Sequence, residues 1–108
     1  MTTQELVNMD LVAFAAAVKG LDAGTCSRCA RDLFHRLASA ATFEQYFADV
    51  LGVILCSGQS GEERFVELCQ VAGRYAPGVA PGYGVLARLT ALTVQMVNLS
   101  LSSRTGRR

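Results

Sequence analysis

Cys26-Ser27-Arg28-Cys29 is the first stretch of this chain in which residue types and spacing could do chemistry. Two thiols in a C-x-x-C can share a zinc ion or form a redox-active disulfide. A zinc site needs further ligands, and His35 is the chain's single histidine. At about 100° per residue, His35 points about 180° away from Cys26 on a continuous helix, so one metal does not reach both. Cys56 and Cys69 bring neither a second C-x-x-C nor a histidine pair. Cys26, Cys29, Ala30, Leu33 and Leu37 recur instead as an apolar helical stripe, in which reduced cysteine packs as a small hydrophobe. The expectation is core thiols, with no metal, no cofactor and no disulfide.

Nucleophilic catalysis would also need His35, as the base. The chain has no nucleophile elbow, no phosphate-binding glycine loop, no dinucleotide fingerprint and no H-E-x-x-H. Glu62 and Glu63 fall at a helix start, where carboxylates complement the macrodipole rather than perform acid–base work. No catalytic residue and no small-molecule substrate are assigned, and a non-enzymatic role follows as the expectation. A different chemistry comes from Arg28, Arg31 and His35, which share one helix face by steps of three and four, with Arg36 beside them. Such a row suits spaced phosphates, although Asp32 interrupts it. Arg104, Arg107 and Arg108 add three charges in a basic segment, 103–108, expected to be a flexible tail.

Helices must position these groups. Thr2 with Glu5, Thr42 with Gln45, and Ser60 with Glu63 have the spacing of capping boxes, and Asp22 or Thr25 offers a further cap. Glycines follow the segments as stops. Val7, Leu11, Phe14, Val18 and Leu21 step by four and three, as do Phe43, Phe47, Val50 and Ile54. The spacing predicts helices over 3–20, 25–41, 43–56, 61–75 and 84–102, with a Pro-Gly loop over 76–84 that carries Tyr83. Period-two alternation is absent, so the expected fold is all-α: a compact bundle of about five helices without a sheet, in one domain over 1–102.

The last helix is the most apolar. Val85, Leu89, Leu92, Met96 and Leu99 form one seam, and Leu86, Val97 and Leu101 widen it beyond what a surface helix needs for its own core. Its stretch of 17 residues from Val85 to Leu101 also holds Arg88, Gln95 and Asn98, too short and too polar for the roughly 20 apolar residues of a membrane span. Across the 108 residues, 51% are hydrophobic and 18% charged, against roughly 25% charged in ordinary soluble chains. Apolar surface is therefore expected to be left for a partner.

The leading expectation is a self-associating interaction module, a homodimer or higher oligomer. Val85, Leu86, Leu89, Leu92, Met96, Val97 and Leu101 are its expected contacts. The alternative is RNA or DNA binding through Arg28, Arg31, His35, Arg36, Arg104, Arg107 and Arg108. A net charge of +1 supplies no global field for it, so only a local patch would serve. Glu5 and Asp10 precede any basic residue at the start, unlike a secretory signal, and the expected location is intracellular, cytoplasmic or nuclear.

Overall fold

In the computed structural model the described residues are 2–38, 42–55, 61–78 and 84–105, with side chains described to residue 101. They form six helices and no strand: α1 (Thr3–Asn8), α2 (Leu11–Lys19), α3 (Ala23–Leu37), α4 (Phe43–Leu55), α5 (Gly61–Tyr75) and α6 (Val85–Thr105). The all-α bundle is the expected one, with one helix more than the spacing predicted.

The additional helix arises at Asp10. Met9 and Asp10 are extended, at φ −73°, ψ 151° and φ −68°, ψ 165°, and the Asp10 carboxylate accepts the Ala13 N–H at 2.8 Å. An aspartate competes well for first-turn N–H groups, so the chain restarts a helix here instead of continuing one. The break rotates α2. Leu6, Phe14 and Val18 turn inward, whereas Leu11, expected on the same apolar face, is exposed.

The other starts follow the capping chemistry. Thr2 and Glu5 exchange hydrogen bonds at 2.7 and 3.1 Å, and Thr42 and Gln45 do so at 3.2 and 3.3 Å. Asp22, rather than Thr25, caps α3 and moves its start to Ala23. The Ser60 cap lies outside the described residues. Gly84 adopts φ +48°, and a Cβ there would stand 3.1 Å from Arg88 Nη1, so glycine opens α6. Helix α6 then runs to Thr105, three residues past its expected end.

One core draws on all six helices, and α6 runs through it, packed against α2, α3, α4 and α5. Its inward hydroxyls are satisfied within the helix: Thr90 donates to the Leu86 carbonyl and Thr93 to the Leu89 carbonyl, each at 2.8 Å. Because Thr93 spends its hydrogen there, Tyr46 is the donor in its 3.1 Å contact with Thr93 Oγ1. Phe34 joins the surrounding helices, stacked on Tyr46 at 5.1 Å and edge-on to Phe43 at 5.7 Å, with Tyr75 6.0 Å away. At the far side, Arg88 donates to the Met9 carbonyl and lies over the Phe14 ring at 5.6 Å. It thereby ties the α1–α2 turn to α6.

Phe34 is fully buried at the centre of these rings. Phe34→Ala is expected to cost about 3–5 kcal/mol in urea unfolding followed by circular dichroism. Phe65→Ala, on an exposed position, should cost under about 1 kcal/mol.

Candidate interaction surface

The basic row on α3 is exposed, as its helical spacing requires, but much of it is engaged within the chain. Arg31 Nη1 meets Glu44 Oε2 at 2.6 Å, and its guanidinium covers the Phe43 ring at 4.8 Å. That hydrogen bond is the main cause holding the Glu44 carboxyl below its ordinary pKa. Arg36 pairs with Asp32 at 3.3 Å and donates to Gln4 Oε1 at 3.1 Å. His35 stands edge-on to Phe34 at 5.6 Å. Exposed ion pairs are worth little and can be broken, yet Asp32 and Glu44 stay beside the row and repel a polyanion. Arg104 falls in the last turn of α6, while Arg107 and Arg108 lie outside the described residues.

Cys26 and Cys29 face inward. Cys26 and Cys29 are fully buried, and Cys26 Sγ donates to the Leu92 carbonyl at 3.2 Å. Burial, with smaller contributions from Cys29 and Asp22, pushes the Cys26 thiol up to about 11. Cys69, half-buried on α5, is also raised by burial. Cys26 and Cys69 are thiols rather than thiolates, weak as nucleophiles and as metal ligands. Among the described residues, no three His, Cys, Asp or Glu side chains gather around a point that could hold a metal ion. Cys56 lies outside them.

The seam expected on α6 is internal. Leu86, Leu89, Leu92 and Val97 are covered by this chain's own helices, and Val85 and Met96 are half-buried. Only Leu101, 43% exposed, offers a substantial surface. The breadth of the apolar pattern has a simple cause: a helix surrounded by four others needs apolar residues around most of its circumference. A glutamate at Val97 would therefore meet core, not a partner.

Exposed apolar side chains stand at Leu55, Phe65 and Val66 on α4 and α5, and on α2, which the expected helix over 3–20 had concealed. Its sequence, LVAFAAAVK, has one charged residue, and the core takes only Phe14 and Val18 fully. Leu11 is 56% and Val12 83% exposed, with Ala13, Ala15, Ala16 and Lys19 also outside. The signal was present in the unbroken apolar run after Asp10, but its meaning depended on where the helix began.

Two grooves lie among the described residues. One of about 310 Å³ between α4 and α5 carries Glu63, Glu67 and Arg74, and one of about 170 Å³ is lined by Phe47, Leu51 and Met96. Neither joins a nucleophile to a base. No helix of the described residues is long and apolar enough to cross a membrane. No protein-family model, curated protein or solved structure matches the chain.

The buried titratable groups set an alkaline limit to stability. Burial raises Tyr46 from 10.0 to about 12 and Cys26 from 9.0 to about 11. Above about pH 9 the unfolded chain releases protons that the folded chain retains, so stability falls as pH rises through this window. Urea unfolding at about pH 8, 9.5 and 10.5 should show a steady decline. Cys26→Ala should flatten its first part.

Proposed function

We propose that this protein is a non-enzymatic helical interaction module that self-associates, as a homodimer, through the outer face of α2. The observation that carries the reading is Val12, 83% exposed with Leu11 beside it, on a helix whose outward side holds alanines and a single lysine. Leaving a valine and a leucine in water forfeits roughly 1.5–3 kcal/mol for each relative to full burial, an incentive for a partner to cover them. The low charge content supports the same reading, since fewer ionic groups are present to shield apolar surface. The proposed location is the cytoplasm or nucleus, in keeping with free thiols at Cys26, Cys29 and Cys69.

Contact with RNA or DNA through Arg28, Arg31, His35, Arg36 and the C-terminal arginines is the weaker proposal. Asp32 and Glu44 stand within ion-pair distance of Arg36 and Arg31, where phosphates would have to approach.

Sedimentation separates the two. The unmodified protein should show a concentration-dependent shift from monomer to dimer, and Val12→Glu should sediment as a folded monomer with an unchanged circular dichroism spectrum. A strictly monomeric unmodified protein at about 100 μM, binding a nucleic-acid duplex with steep salt dependence, would overturn the reading in favour of the second.

A further inference from the structure

We infer that the groove between α4 and α5 is a docking site for a helix of a partner protein, which lies antiparallel to α5. That helix carries an acid, apolar residues three and four places after it, and a base seven places after it.

The helical spacing of α5 builds one wall of the groove. Glu63, Glu67, Gln70 and Arg74 follow one another by steps of four, three and four, so they share one face of α5, and all four line the groove of about 310 Å³. Glu67 and Arg74 carry opposite charges two turns apart, about 10.5 Å along the axis. Among the described residues neither forms an ion pair. Asp49 of α4 is engaged instead by the Tyr75 hydroxyl, which donates to it at 2.5 Å. Val71 lies between the two charges along α5, Val53 supplies the α4 side, and Val66, 55% exposed, stands at the Glu67 end. A ligand matched to this wall presents a cation and an anion about 10.5 Å apart with apolar groups between them.

Those requirements select a helix. An extended peptide docks by adding to a sheet edge, and the described residues contain no strand, so its N–H and C=O groups would gain no backbone partners. A helix satisfies its own backbone, and its residues seven apart have the same rise as Glu67 and Arg74. Antiparallel to α5, the partner's first turn comes to Arg74 and its last turn to Glu67. An acid is favoured in a first turn and a base in a last turn, and the two helix dipoles then oppose each other. The apolar residues fall on the same face of the partner and meet Val53 and Val71. A nucleic acid fits poorly, because Glu63 and Glu67 would meet its phosphates. The α5 of a second copy has an acid and a base at this spacing, but between them it offers polar Gln70 and buried Val71, so it leaves the apolar centre unfilled.

The probe is a labelled, end-capped peptide of about twenty residues, long enough to hold a helix in water. It is built on alanine and glutamine, with Glu, Leu, Leu and Lys at positions i, i+3, i+4 and i+7, and is titrated by fluorescence anisotropy at low salt. A control peptide exchanges its Glu and Lys. The unmodified protein should bind the probe with a Kd on the order of 100 μM, as a small and partly polar contact allows, and the control about tenfold more weakly. Glu67→Lys combined with Arg74→Glu should reverse the preference, a result that a fold defect does not produce. Val12→Glu should bind the probe like the unmodified protein, so failure of this docking and failure of the α2 contact are read from separate variants.

If neither peptide binds at about 1 mM, or if the unmodified protein and the double variant bind both peptides equally, the groove is not a docking site of this kind. A preference of the unmodified protein for the control overturns the antiparallel orientation. Self-association of the Val12→Glu variant that Arg74→Glu abolishes assigns the groove to a second copy and overturns the partner helix.

Discussion

Helix α6 lies inside the bundle because the hydroxyls it carries inward keep hydrogen-bond partners there. Thr90 and Thr93 return their hydrogens to carbonyls one turn back, and Tyr46 closes the remaining acceptor on Thr93. An unsatisfied hydroxyl in such a place would cost on the order of 1–3 kcal/mol, enough to displace a central helix in a domain of marginal stability. With those groups paired, Leu86, Leu89 and Leu92 are free to act as apolar bulk, and the four neighbouring helices pack around them.

What lies at the surface follows from that enclosure. Since α6 consumes the inner faces of α2, α3, α4 and α5, each neighbour is left with one outward face whose chemistry is its own. On α3 that face carries arginines interleaved with acids, and on α4 it carries Glu44, which holds Arg31. On α2 it carries Val12, Ala15 and Ala16. Arg88 contributes to this asymmetry: by binding the Met9 carbonyl it fixes the turn before α2, and with it the side that α2 presents to solvent.

The same geometry removes chemistry from the C-x-x-C of α3. A C-x-x-C at a helix N-terminus near a base would favour thiolates, but here burial disfavours the charged form and His35 occupies the exposed side of α3. The proposed role as an interaction module thus rests on a fold that turns Cys26 and Cys29 inward and part of its apolar excess outward.

Helix class and capping were legible in the sequence because they depend on short-range spacing. Thr2 with Glu5, Thr42 with Gln45, and the stripe through Cys26, Cys29, Ala30 and Leu33 act within one or two turns, and a linear pattern records such relations directly. The break at Asp10 was less legible, since an aspartate between two apolar runs fits either a continuous surface helix or a new cap. Tertiary structure alone decided which apolar faces are internal. The patterns on α6 and α2 both state that residues avoid water, and neither states what covers them. That is decided by where the other helices lie, through contacts such as Arg88 with Met9 and Tyr46 with Thr93 that join positions 79 and 47 residues apart.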